Sequence, residues 1–467
     1  MLDTIPNNVN LEQNPKLQRA LLHWHPKFLD WWKEVGPEGF QQDQIYLRTA
    51  IGVSAGDWAI YDYVKMPDYR WGIFLANPRK QDSIYFGDKI GEKLWPQVPG
   101  EFRKELRRLI VTQGDTEPAS VEAQRLLGKT APSLVDLRNL FQINVEEARH
   151  LWAMVYLLHS YFGADGRDEA EEMLVRRSGH EDHPRILQAF NKPIDDWLAF
   201  FCFTMFTDRD GKFQLAALAE SAFDPLARST MFMLTEEAFH LSVGDTGIQR
   251  VVRRTAELMQ EGADPEKAGA IPLAVIQKYI NEWASACYDL FGGEDSSNAA
   301  TYFGTGLKGR FQEGDGKRFP DHLALDDVYT ADVVEQGKWT KREIPMRRAM
   351  NACLLDDFIT DLHRGLKRWN KVLEDAGVTE RLTLPNKRFN RNVGIYADSL
   401  FAIDGEMIGQ AAFDKQIGDW LPSREDYDLV QRSMVPVFEP GKVAGWIAPP
   451  TRGFGNNPTG FEYVLFH

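Results

Sequence analysis

Inside a long apolar helical pattern, the segment EEARH at residues 146–150 sets two carboxylates and an imidazole where a buried helix would ordinarily be hydrophobic. Ninety residues later the chain writes EEAFH at 236–240. No other feature of the sequence restricts the fold as strongly. Positions three or four apart on a helix share a face. Glu147 with His150, and Glu237 with His240, can therefore each aim a carboxylate oxygen and an imidazole nitrogen at one point. Glu-x-x-His on two helices, each partnered by a carboxylate from another helix, is how a four-helix bundle of the ferritin-like kind holds two iron ions. Carboxylates suit ferric iron and can bridge two metals, while imidazoles leave positions open for oxygen.

The missing carboxylates fall where hairpin geometry puts them. Pro132 breaks the pattern and Ser133 is a candidate N-cap for the helix carrying Glu147. An antiparallel hairpin folded about residue 132 sets Glu147, 15 residues beyond it, opposite Glu117, 15 residues before it. The second hairpin turns at SAFDPL, and Glu237 then faces Asp208 across a centre between residues 222 and 223. Glu122, Asp210 and Glu220 compete for the first and third carboxylate positions. Glu146 also faces His150 at the four-residue step, and an ion pair between Glu146 and Arg149 favours Glu147. Gln113, one turn before Glu117, is a candidate polar neighbour. Gly114 and Pro118 predict a break or kink at Glu117, or a helix that starts at Pro118. Gly211 predicts a distorted turn at Asp208.

Helical periodicity is strongest over residues 100–290, as in SLVDLRNLFQINVEEARHLWAMVYLLHSYF and PIDDWLAFFCFTMFTDRDGKFQLAALAESAF. This predicts a mainly α chain: an N-terminal extension over 1–99, helical and turn-rich, a four-helix bundle over 100–290, and a C-terminal extension over 291–467. The last part reads as Gly-rich loops, a helix near 344–375, and short strands from about 380. The aromatic run FFCFTMF at 200–206 fits either bundle core or the wall of a hydrophobic pocket. A formal net charge of −14 argues against a nucleic-acid partner. No apolar run of membrane-spanning length occurs. Three scattered cysteines give no disulfide framework and suit a reduced, cytoplasmic setting.

A storage protein needs little beyond the bundle, and a radical-generating subunit would want a tyrosine one turn past each histidine, where this chain has Met154 and Gly244. Oxygenase chemistry fits better. The two EEAxH helices with Glu117 and Asp208, and the arms from NPKLQRALLHWHPKFLDWWKEVGP to RGFGNNPTGFEYV, resemble the benzoyl-CoA 2,3-epoxidase family, the oxygenase component B of aerobic benzoyl-CoA degradation, over essentially the whole chain. The resemblance implies that Glu117, Glu147, His150, Asp208, Glu237 and His240 hold two iron ions, with Gln113 nearby; an aspartate at the third carboxylate fits this family. It further implies O2 as co-substrate and insertion of one oxygen atom across the 2,3 bond of the benzoyl ring of benzoyl-CoA. Electrons would come from NADPH through a separate flavin and iron–sulfur reductase. An acyl desaturase, or an arene or alkene monooxygenase, is the alternative reading. Eight Lys/Arg against four acids between 361 and 391 form a candidate patch for the phosphates of coenzyme A, with Arg388 and Arg391 its test positions.

Overall fold

The computed structural model describes residues 5–39, 46–47, 64–65, 71–80, 82–310, 327–335, 337–439 and 441–451. The fold is mainly helical. Helix α1 (Pro15–Val35) is followed by a two-residue antiparallel ladder of β1 (Tyr46–Leu47) and β2 (Val64–Lys65). Then come α2 (Arg103–Ala123), α3 (Leu134–Tyr161), α4 (Gly163–Val175), the short α5 (Trp197–Cys202), α6 (Asp208–Leu218) and the long α7 (Asp224–Gln260). Helices α8 (Leu273–Tyr288) and α9 (Ser297–Gly304) lead to an antiparallel hairpin of β3 (Val328–Glu335) and β4 (Lys338–Pro345), registered Val328 to Pro345. Helices α10 (Met350–Asp375), α11 (Gln410–Trp420) and α12 (Arg424–Ser433) complete the chain.

Helices α2, α3, α5–α6 and α7 form the bundle, with α2 against α3 and α6 against α7. The α3 start is fixed as its sequence predicts. Ser133 accepts from the backbone N–H of Asp136 at 3.2 Å, and Asp136 takes both terminal nitrogens of Arg250 on α7, at 2.6 and 3.0 Å. Removing one partner of such a buried pair costs about 3–5 kcal/mol. Nearly every residue of α3 is buried. On one side lies α1, whose Trp24 meets Trp152 edge to face at 4.9 Å. A C-terminal strap crosses the start of α3: Val437 N–H donates to the Ala131 carbonyl and Ala444 N–H to that of Pro132. One hydrophobic core accordingly takes in residues from Ile5 to Ile447.

Three local expectations change. Helix α2 runs unbroken through Gly114 and Pro118. A Cβ on Gly114 would meet Met173 Cε at 2.9 Å and Met154 Cβ at 3.0 Å, so the glycine is there for close packing on α3 and α4. The turn at Gly211 is regular; the distortion lies just before Asp208, where Phe203–Thr207 winds as a π-helix. The C-terminal strands are the β3–β4 hairpin within the segment read as loops. After 380 the described residues contain two helices and an isolated bridge between Phe401 and Met407. RGFGNNPTGFEYV lies outside the described residues. Among those described, no helix is long and apolar enough to cross a membrane.

Candidate metal centre

The four bundle helices bury Glu117, Glu147, His150, Asp208, Glu237 and His240, and all of these but Asp208 fall into two donor groups that share Glu147. Glu147 and His150 sit one turn apart on α3, Glu237 and His240 likewise on α7, and Glu117 comes from α2. Asp208 opens α6 at the end of the π turn. That turn packs tightly because α7 offers it glycines: a Cβ on Gly244 would lie 2.4 Å from the backbone N of Met205, and one on Gly247 2.2 Å from the ring of Phe201. A π turn accommodates an extra residue per hydrogen-bonded ring, which resets the face that Asp208 presents.

Both histidines point Nδ1 inward, and their ring centres are 6.1 Å apart. His150 Nδ1 lies 3.2 Å from Glu117 Oε2, 3.7 Å from Glu147 Oε2 and 3.8 Å from Glu237 Oε1. His240 Nδ1 lies 3.4 Å from Glu147 Oε1 and 3.5 Å from Glu237 Oε2. Glu147 and Glu237 thus each turn one oxygen to either imidazole. Glu117, Glu147 and His150 form one group whose donor atoms lie within 4.8 Å of one another, and Glu147, Glu237 and His240 form a second. Neither group includes Asp208, and neither includes Glu122, Asp210 or Glu220. Glu122 is taken by Trp31 Nε1 and Arg185.

The leading glutamate of each pair has a separate task. His150 Nε2 lies 3.0 Å from Glu236 Oε2, and His240 Nε2 lies 3.0 Å from Glu146 Oε2. Each helix therefore orients the histidine of the other. A carboxylate accepts, so Nε2 keeps its proton and Nδ1 is the nitrogen able to offer a lone pair to a cation. Arg149 ion-pairs with Glu236 across the bundle, while Glu146 accepts from Gln142 Nε2 at 2.7 Å. The pairing of Arg149 with Glu146 that favoured Glu147 at the sequence level is thus not the one displayed, yet Glu147 is the residue facing inward. Gln113 Nε2 donates to Glu117 Oε1 at 2.9 Å.

So many carboxylates without water perturb one another. Burial pushes Glu117 up to about 8. Burial, then the charges of Glu147 and Glu237, push Asp208 well above the carboxylate range. Burial also acts on Glu147, but the facing imidazoles of His150 and His240 hold it low. Both imidazoles are raised well above their ordinary value despite burial, His150 by hydrogen bonds to Glu117, Glu147 and Glu236, and His240 chiefly by the charge of Glu237. Asp208 Oδ2, Glu237 Oε2 and His240 Nδ1 are buried without a hydrogen-bond partner. Orphaned donors of this kind and a set of four carboxylates with two imidazoles fit hard divalent cations such as iron or manganese.

A cavity of about 400 Å³ opens against Gln113 and Thr116, next to Glu117 along α2, and none of the six cluster residues is in its described lining. Helix α2 lines it with Thr112, Gln113 and Thr116, and α6 with Asp210, Gly211 and Gln214. Its described lining includes none of residues 200–206. Phe200, Phe201 and Phe203 are core, packed edge-on or tilted against Trp197 and Trp283. Sequence reasoning missed Lys308 and Gln214 in this wall; a lysine in TGLKGR carries no signal that sets it apart from a loop cation. Of the basic run, Arg391 is buried between Asp289 (2.6 Å) and Glu294 (2.8 Å). Arg388 reaches Asp332 at 3.3 Å and lies over the Trp339 ring at 4.4 Å.

No family model matches the sequence. Over 470 residues, covering 100% of this chain and 99% of the relative, it is 55% identical to benzoyl-CoA oxygenase component B of Aromatoleum evansii. The chain belongs to the benzoyl-CoA oxygenase component B family.

Proposed function

We propose, with membership of that family as the premise, that this chain is the oxygen-activating component of a multi-component oxygenase. In this reading it holds two iron ions between Glu117, Glu147, His150, Asp208, Glu237 and His240 and epoxidises benzoyl-CoA. The observation that carries the reading is the sharing of Glu147 and Glu237 between the two imidazoles. A carboxylate that faces two nitrogens with two different oxygens suits a bridge between two cations.

Two irons held by these residues would supply the reduction of O2 by two electrons and two protons, one atom going to the 2,3 bond of the ring to give 2,3-epoxy-2,3-dihydrobenzoyl-CoA and the other to water. The two electrons this balance requires come from NADPH through a separate flavin and iron–sulfur reductase. The chain's own residues set the stage. Glu146 and Glu236 lock the imidazoles with Nδ1 inward. Gln113 steadies Glu117 at the cavity end of the cluster. The cavity walls hold the ring edge toward the centre and keep water out, which is where much of the rate advantage of a bound reactant arises. The setting is cytoplasmic in this reading.

Iron per chain, measured by mass spectrometry, tests the site. Two irons in the parent and loss in both Glu147→Ala and Glu237→Ala are expected, and epoxidation of benzoyl-CoA with isotope from labelled O2 should follow. Little iron after anaerobic reconstitution with ferrous salt would sink the reading. Turnover of long-chain acyl carriers in place of benzoyl-CoA would point to a desaturase instead.

A further inference from the structure

Arg108, Asp210 and Lys308 line the cavity, and none is among the six residues assigned to metal. Lys308 follows α9 and lines the cavity. Its Nζ donates to Gln214 Oε1 at 2.5 Å, and Gln214 Nε2 donates to Asp210 Oδ1 at 2.9 Å. Burial lowers the ammonium to about 8, against the pull of Asp210. An ammonium has three protons to donate. Among the described residues Gln214 is its only hydrogen-bond partner, so two protons remain for whatever enters.

The surroundings narrow what that is. Leu187, Phe190, Leu290, Phe303 and Leu354 make much of the wall apolar, which suits a flat hydrophobic group. Asp210 meets Lys308 through Gln214 and is itself raised by burial to about 7, and Arg108 lines the same cavity. A neutral acceptor attached to an apolar plane fits a donor set in such a wall. A thioester carbonyl conjugated to an aromatic ring has that form.

We propose that Lys308 donates a hydrogen bond to the thioester carbonyl of an aromatic acyl-CoA and so positions the ring in the cavity. The inference rests on the reading of the cavity as the substrate site. Because carbonyl and ring are conjugated and coplanar, fixing the oxygen also fixes which ring edge turns toward Gln113 and Glu117. Lys308 is then a specificity-determining residue, and Gln214 and Asp210 hold it in place.

Calorimetric titration of the iron-loaded protein, anaerobic and without electron donor, separates the possibilities. The ligands are benzoyl-CoA and S-benzyl-CoA, a thioether lacking the carbonyl oxygen. Lys308→Met is expected to weaken benzoyl-CoA binding roughly tenfold to hundredfold, the range for a hydrogen bond to a charged group, and to leave S-benzyl-CoA within about twofold of the parent. Equal losses for both ligands, or no loss for either, would overturn the carbonyl contact while leaving the cavity as the substrate site. A parent protein that binds neither ligand would remove the substrate reading itself, and this inference with it. If Lys308→Met melts early, Lys308→Gln, which retains a donor for Gln214, carries the same comparison.

Discussion

Replacing Gly244 by alanine tests whether the π turn before Asp208 exists because α7 lets it approach. The added Cβ would sit 2.4 Å from the backbone N of Met205, 2.6 Å from Thr204 Oγ1 and 2.7 Å from the Thr204 carbonyl carbon. Ordinary contact begins near ~3.5 Å, so backbone must move by roughly 1 Å, and overpacking of this kind costs about 1–3 kcal/mol. Gly211 on α6 is the control, because nothing lies within 4 Å of where its Cβ would stand and its φ is ordinary for a helix. Gly211→Ala should gain about 0.5–1 kcal/mol from the better helix former. At about 2.1 cal/mol/K per residue, a chain of this length shifts its melting midpoint by only ~1 °C per kcal/mol. A gap of roughly 2–4 °C between the two variants is therefore expected by scanning calorimetry, with Gly244→Ala lower. Iron retention should fall only in Gly244→Ala, because Asp208 rides on the displaced turn. Equal midpoints, or unchanged iron in both, would refute the idea that this glycine positions Asp208.

Other outcomes follow from single contacts. Glu146→Leu removes the acceptor at His240 Nε2 and should weaken iron binding by about 10–100-fold in competition with a chelator, whereas an unchanged constant would mean that packing alone orients the ring. Arg391→Ala leaves Asp289 and Glu294 without their buried partner; about 3–5 kcal/mol of stability should be lost in urea unfolding, with benzoyl-CoA affinity preserved at temperatures where the variant is folded. Burial, with the charge of Arg167, lowers His159 to about 4. A depressed folded-state pKa means its contribution is complete above the unfolded value near ~6.5 and disappears as pH falls toward 4, a loss of roughly 3 kcal/mol. His159→Leu should flatten that part of the stability profile, and an unchanged slope between pH 6.5 and 4 would show that other groups govern it.

What could be read from the sequence was whatever a single helix or a short hairpin determines. Glu147 and His150 share a face because of the helical repeat alone. Glu117 could be set beside Glu147 and His150 by mirroring because α2 and α3 are neighbours joined by a short connection, so register follows from counting; the same count opposes Asp208 to Glu237, and Asp208 is buried but outside both donor groups. Ser133 announced its cap for the same local reason. The errors arose where a distant segment decides. Pro118 looked like a breaker, yet the packing that Gly114 permits against Met154 and Met173 keeps α2 continuous through the lost hydrogen bond. The distortion near Asp208 was placed at Gly211, but its cause sits on α7, at Gly244 and Gly247, which look unremarkable in their own helix. The doubled glutamates illustrate both regimes. The inward glutamate is legible from spacing, since Glu147 and Glu237 each stand three residues before a histidine. The task of Glu146 and Glu236 is not, because it depends on how α3 and α7 cross: each leading carboxylate serves the other helix's imidazole. An ExxH helix with a second glutamate just before it can therefore be read as half of a reciprocal pair, in which removing either leading carboxylate disturbs the metal side of the opposite helix.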